Sequence, residues 1–390
     1  MKRKYKIAMV AACPFPYPRG TPTRIYRMAE ALVRYGHQVN VITYHLGELE
    51  KDAPFRIHRI PKVKSYNKLT PGPSYQKLLL LDGLLLAKLY RILNRYDFDL
   101  IHAHHYESLL ISKAISMLTK HKVVYDAHTA LESELPYYAE LGLTKQVKQR
   151  VGGTIDSRLP QKADHIITVT DDLKQKLLQH FPLRSEKISV IPTGVEFDFF
   201  ASVPPVLQPS HGPKTLIFTG NLAAYQGIDL MLKALSYVID KRQDVCLKIV
   251  SNDSLEPYQP LIDQLEIGHY IEHVPSDYDE LPHELANATL AMNPRTECDG
   301  LPQKLLNYMA AGAPVVSFAG SAKQIVHSKQ GWIAPNDDTQ AFANGILHLL
   351  DKPNLAIQIG QNAQRHALET FSWPRLVQKI ERIYGHVLSS

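Results

Sequence analysis

Residues 288–292 form an apolar run that passes through a polar loop into a helical stretch over residues 301–311 and returns as a second apolar run over residues 314–318. A buried strand that feeds a helix and comes back as another buried strand is the repeating unit of a parallel α/β sheet. Gly300 lets the backbone come close to a ligand, Pro302 suits the first helical turn, and the free N–H groups behind it favour an anion such as a diphosphate. Gly312 closes the helix. Polar groups therefore gather at the carboxyl end of a strand, where open α/β sheets hold their ligands.

The same unit recurs along the chain. Residues 6–12 read as a first strand, 14–22 as a Gly/Pro loop, 23–35 as a helix ending at Gly36 and 38–44 as the next strand. A short strand is expected over 56–60 and a Leu-rich helix over 74–93, either packed between sheet and neighbours or touching a membrane. Strands over 99–104 and 122–127 end in His104-His105 and His128. Residues 193–214, with Pro204, Pro205, Pro209 and Pro213 and no sustained periodicity, read as a join. A second α/β series opens at 215–220, and the chain finishes with helices over 339–350, 354–370 and 374–389.

A chain of 390 residues exceeds one ordinary core, so two doubly wound α/β domains are expected, with ligand edges facing a central cleft. The loop after the first strand is no GxGxxG fingerprint, which weakens a dinucleotide reading. The three scattered cysteines, Cys13, Cys246 and Cys298, fit a reducing compartment, and no signal peptide is read at the start. The longest apolar stretch, 78–93, carries Asp82, Lys88 and Arg91 and is too short and too charged to span a bilayer. The histidine pair has no Cys, Asp or Glu beside it at ligand-like spacing, so no metal site is expected and hydrogen-bonding or acid/base roles fit better.

Charge separates the halves. Residues 1–193 hold 30 Lys+Arg against 17 Asp+Glu, a balance of +13, and residues 194–390 hold 14 against 21, a balance of −7. A basic half fits an anionic substrate, an anionic membrane surface or nucleic acid. The tyrosines are dispersed rather than interleaved with the basic residues, and the second half is acidic, which argues against a nucleic-acid track.

Several segments, in order, resemble the retaining family 4 glycosyltransferases of the GT-B fold. They are residues 29–43 after the Gly loop, the inter-domain run 191–200 (IPTGVEFDFF), 218–222 with 225–229, the stretch 293–316, and Phe371-Ser-Trp373 before the last helix. The resemblance implies an acceptor domain over residues 1–193 with 374–390 packing back onto it, and a nucleotide-sugar donor domain over 194–373.

It also implies site residues. Anchoring on Tyr308-Met-Ala-Ala-Gly312 places the family's two donor-site acids at Asp299 and Asn307. Asp299, with the backbone of Gly300 and Leu301, would hold sugar hydroxyls. Asn307 would meet the nucleotide ribose without a charge-assisted bond, or stand as an ordinary surface residue. Many members carry Arg and Lys in the loop after the first C-terminal strand, spanning Gly220 to Gly227 here, where this chain has Asn221 and Gln226. Lys304, in a GxPxK run with Pro302, and Arg295 would replace those charges; the alternative is a solvated lysine. His128 matches an N-domain histidine near the reacting sugar, or is a satisfied structural group. Gly20, Thr21, Arg24, His105 and Glu132 are the expected acceptor contacts, with Arg27 and Glu134 nearby.

The activity implied is retaining transfer of a hexose-type sugar from a UDP- or GDP-sugar, without metal or further cofactor, to a hydroxyl of an anionic, glycan or lipid-linked acceptor. It belongs to cell-envelope polysaccharide or glycolipid synthesis, in the cytoplasm or at the inner face of the membrane. The competing readings are a nucleotide-sugar epimerase of the same fold and a non-catalytic nucleotide-sugar-binding homologue.

Overall fold

The computed structural model describes residues 3–17, 20–47, 52–69, 76–135, 145–180, 185–204, 212–298 and 301–389. The chain divides into two units, one formed by Met1–Pro192 with Pro374–Ser390 and one by Thr193–Trp373.

In the first unit a parallel sheet is built from β1 (Lys6–Ala11), β2 (Gln38–Thr43), β3 (Arg56–Arg59), β4 (Leu100–His104), β5 (Lys122–Ala127), β6 (His165–Thr168) and β7 (Ile188–Val190), in the order β3-β2-β1-β4-β5-β6-β7. Its helices are α1 (Gly20–Arg34), α2 (Asp82–Arg95), α3 (His105–Thr119), α4 (Leu131–Glu134), α5 (Lys145–Arg158) and α6 (Asp171–His180). The near-continuous burial of β1, β4 and β5 is what a sheet covered on both faces requires. The strand order reverses direction between β1 and β4.

Two expectations differ here. The helix after β1 starts at Gly20 rather than residue 23, so Gly20, Thr21 and Pro22 form its first turn; proline is tolerated there because its missing N–H has no intrahelical acceptor. The Leu-rich helix opens with a π turn, Lys77–Leu81, before α2 proper.

The second unit holds α7 (Phe197–Phe200), β8 (Lys214–Thr219), α8 (Ile228–Ile239), β9 (Val245–Val250), α9 (Gln259–Gln264), β10 (Ile271–Val274), α10 (Leu281–Ala286), β11 (Leu290–Asn293), α11 (Gln303–Ala311), β12 (Val315–Phe318), β13 (Trp332–Ala334), α12 (Thr339–Asp351) and α13 (Pro353–Thr370). Its parallel sheet runs β10-β9-β8-β11-β12-β13 and reverses between β8 and β11. The start of the expected join is not loose. Val195 bridges Ser372, Phe200 is buried, and a Cβ on Gly194 would meet the Trp373 ring at 2.5 Å. The last helix, α14 (Trp373–Ser389), belongs to the first unit from Pro374 onward, where the Tyr384 hydroxyl meets His102 Nδ1 at 2.7 Å and Glu381 meets His37 Nε2 at 3.1 Å.

Candidate functional site

In the second unit the loops after β8 and β11 adjoin at the reversal of strand order, the position at which doubly wound sheets form ligand crevices. Gly220 (φ +119°) directly follows β8, and Gly227 (φ +72°) is the N-cap of α8 in the left-handed conformation. A Cβ on Gly227 would lie 2.2 Å from the carbonyl oxygen of Pro294, so glycine allows these two loops to touch. Between them Asn221 donates to the Tyr225 hydroxyl (3.1 Å) and accepts from Gln226 Nε2 (3.2 Å).

Lys304 enters this space from the first turn of α11. Its Nζ donates to Gln226 Oε1 at 2.8 Å, lies 3.7 Å from the centre of the Phe218 ring, and would be 3.5 Å from a Cβ on Gly220. Burial, reinforced by the charge of Arg295, pushes the Lys304 ammonium well below its ordinary pKa. The Arg295 guanidinium stacks on the Tyr225 ring at 4.9 Å and donates from Nε to the Glu297 carbonyl. Neither cation pairs with a carboxylate among the described residues. The N-cap residue of α11, Pro302, makes no side-chain capping bond. Two cations without carboxylate partners among the described residues, beside the N-terminus of α11, favour an anionic ligand.

The Arg295 backbone is fixed from below. Buried Asn293 donates to Ser317 and Ser321 at 2.8 Å each, and the Ser321 hydroxyl donates to the Arg295 carbonyl. Asn307, one turn beyond Lys304, accepts from Gln303 Nε2 at 3.2 Å. Leu301 and Pro302 are buried, and Pro302 (ψ 134°) caps α11 instead of joining its first turn, so the helix begins at Gln303 rather than 301. Asp299 and Gly300 lie outside the described residues. Phe218, Tyr225, Gln303 and Ser321 were not singled out from the sequence, because each reads locally as core, loop or helix surface.

In the first unit Thr21, His105 and His128 meet at the reversal between β1 and β4. His128 Nδ1 faces the Thr21 hydroxyl at 3.5 Å, its Nε2 faces His104 Nδ1 at 3.1 Å, and its ring stacks on that of His105 at 4.7 Å. His105 adopts φ +66°, an uncommon conformation for a non-glycine residue. Burial holds His104 and His128 well below the ordinary histidine pKa, so both are neutral.

Arg24 does not stand at this surface. It is 2% exposed, and its guanidinium donates to Asp126 (3.0 Å) and to the carbonyls of Ile191 (2.9 Å) and Pro192 (2.7 Å). The reason is tertiary: Asp126 on β5 is a buried carboxylate that needs a counter-charge, and α1 delivers one. Burial alone would raise the Asp126 carboxyl; Arg24 and the neighbouring imidazoles outweigh it and hold it well below its usual value. Glu132 bonds to α5. Its carboxylate accepts from Gln149 of α5 (3.4 Å) and its backbone N–H donates to Asp156 (2.9 Å). His102, His104 and Asp126 offer ligand atoms within 4.8 Å of one another, but Arg24 already supplies positive charge to that carboxylate, a poor setting for a metal cation.

Residues 18–199 match the family described as Glycosyltransferase Family 4 and residues 213–352 match Glycosyl transferases group 1. A curated relative, the D-inositol 3-phosphate glycosyltransferase of Corynebacterium glutamicum (strain R), is 22% identical over 316 residues, covering 76% of this chain and 74% of that protein. Among solved structures, sucrose-phosphate synthase (tll1590) from Thermosynechococcus elongatus superposes with a TM-score of 0.78 at 18% identity, covering 99% of this chain and all of that one. Anabaena Alr3699/HepE in complex with UDP gives 0.76 at 19% identity, covering 98% of this chain and all of that one. With both domains matched in sequence and the fold shared with these structures, the chain is a glycosyltransferase and belongs to the family 4 glycosyltransferases of the GT-B fold.

Proposed function

We propose that this enzyme moves a hexose-type sugar, with retention, from a UDP- or GDP-sugar to a hydroxyl of an anionic, glycan or lipid-linked acceptor, without a metal, at the inner face of a cell membrane. The observation that carries the reading is the pair Lys304 and Arg295, two cations without carboxylate partners among the described residues, at the N-terminal end of α11. Departure of a nucleoside diphosphate requires its growing negative charge to be neutralised, and in this reading these groups supply the positive charge.

In the reaction the bond from the anomeric carbon to the diphosphate oxygen breaks and a bond to the acceptor oxygen forms; the acceptor proton passes to the departing phosphate. Lys304 binds that phosphate, Asn307 meets the ribose, and Asp299 with Leu301 holds sugar hydroxyls. Neutral His128, oriented by His104, donates a hydrogen bond to the sugar. Support for a phosphorylated acceptor comes from the +13 balance of residues 1–193 and from the curated relative whose name specifies D-inositol 3-phosphate. Support for a uridine nucleotide comes from the structural neighbour holding UDP.

Thermal unfolding with UDP, GDP and their sugars tests the donor half. A nucleotide at a hundred times its dissociation constant should stabilise the fold by about 2.7 kcal/mol. If no nucleotide stabilises the protein, the donor assignment fails; turnover of donor sugar into an isomer without acceptor would instead make it an epimerase.

A further inference from the structure

We propose that the outward face of α2 and α3, with the π turn that opens α2, is a docking surface for an anionic phospholipid membrane. Helix α2 satisfies the core with Leu85, Leu89, Ile92 and Leu93. The leucines ahead of it are surplus: in the wide turn Lys77–Leu81, Leu78, Leu79 and Leu80 all reach the surface, with Leu79 80% exposed. Tyr90 continues this face two to three turns on. On α3, Leu110, Met117 and Leu118 are 59%, 78% and 72% exposed. Leu110 and Met117 stand seven residues apart and share one side of the helix. An ion pair between Lys77 and buried Glu107 ties the head of one helix to the head of the other, so these residues line adjoining ridges.

Charge selects the occupant. Arg91 and Arg95 are exposed on α2, Lys120 is exposed at the C-cap of α3, Lys88 is half-buried, and half-buried Lys113 pairs with Asp164 at 3.6 Å. The two acids of these helices are turned inward: Asp82 bonds the Tyr44 hydroxyl, and Glu107 is buried with Lys77. Exposed leucines and a methionine with Arg91, Arg95 and Lys120 exposed beside them match the headgroup and acyl boundary of an acidic leaflet. A second copy of this chain would oppose like charges across a two-fold axis, so the face is ill suited to self-association. No helix among the described residues is long and apolar enough to cross a membrane, so contact here is peripheral. This locates the membrane partner of the reading above and rests on it for biological sense, though not on the donor site.

The full chain is sedimented with vesicles of phosphatidylcholine alone and with vesicles containing a third phosphatidylglycerol, as wild type, as the double variant Leu79→Glu/Met117→Glu and as Arg91→Glu/Lys120→Glu. All four substituted side chains are solvent-exposed, so thermal unfolding and the UDP shift should stay as in wild type. Binding should need the acidic lipid, weaken at least about fivefold for each basic residue reversed to an acid, and fall tenfold or more with the apolar pair replaced. Equal binding by all three proteins, or none by wild type, overturns the proposal. A dimer in sedimentation velocity that only the apolar variant breaks overturns it in favour of a second copy. Vesicle binding without any nucleotide shift leaves this surface standing while the donor reading falls.

Discussion

Replacing Lys304 by Met separates a functional lysine from a structural one by the signs of two effects. Among the described residues the Lys304 ammonium has one neutral acceptor, Gln226 Oε1, and the Phe218 face, and burial depresses its pKa. Methionine keeps the apolar stem over Phe218 and removes the charge. Loss of the Gln226 bond costs about 1 kcal/mol, and removal of a desolvated cation without a counter-charge offsets that or more. The unliganded variant should therefore unfold within about 1 kcal/mol of wild type, or later. Nucleotide binding should lose a charge-assisted bond to phosphate, about 1.5–3 kcal/mol, or roughly ten- to hundredfold in affinity. Denaturant unfolding and calorimetry with UDP measure the two quantities on one preparation. A marked loss of stability with unchanged UDP affinity would refute the assignment. The pH dependence adds a second check. The depressed ammonium loses its proton below the ordinary lysine range, and bound phosphate raises its pKa again, so UDP affinity should be level at low pH and fall as pH rises through the unliganded value. An affinity that climbs with alkaline pH would count against it.

Gly227→Ala should destabilise the second unit by about 2 kcal/mol or more in urea unfolding, because its φ of +72° and the Pro294 oxygen 2.2 Å from the new Cβ both oppose a side chain. Asp126→Asn should cost about 3–5 kcal/mol, since it leaves the Arg24 guanidinium buried without its carboxylate; a loss under 1 kcal/mol would show the pair to be dispensable. Stability should fall as pH drops below about 6.5, by roughly 1.4 kcal/mol per unit for each of His104 and His128, because the unfolded chain takes up protons that the buried rings refuse. Asp126 acts at lower pH: its contribution is present above the ordinary carboxylate value and is lost only as pH falls through its depressed folded value. Asn307→Glu should tighten UDP binding severalfold by restoring a charge-assisted bond to the ribose, measured by calorimetry; unchanged affinity would remove Asn307 from the nucleotide contacts.

Most of the element order was legible because local patterns carry it: apolar runs of strand length, glycine closures such as Gly36 and Gly312, and helices bounded by proline and glycine. Lys304 and Arg295 were legible as cations near a helix start. Their chemistry was not, since Gln226 lies 78 residues before Lys304 and becomes its neighbour through the pairing of β8 with β11. Arg24 shows the opposite failure. A basic residue behind a glycine-containing loop reads as a ligand contact, and that reading holds until β5 is seen to set Asp126 within 3.0 Å of its guanidinium, 102 residues away.

The sequence by itself determined the repeating strand-and-helix units, their grouping into two halves of opposite charge and the residue types at the strand ends, because propensity, periodicity and turn chemistry act over a few residues. Only the tertiary structure decided which strands adjoin, and with that where each sheet reverses, which cations are left without a carboxylate among the described residues and which are neutralised. Those outcomes depend on side chains meeting across tens to hundreds of residues, where burial and the presence of one opposite charge decide whether the same arginine or lysine waits for a ligand or holds the fold together.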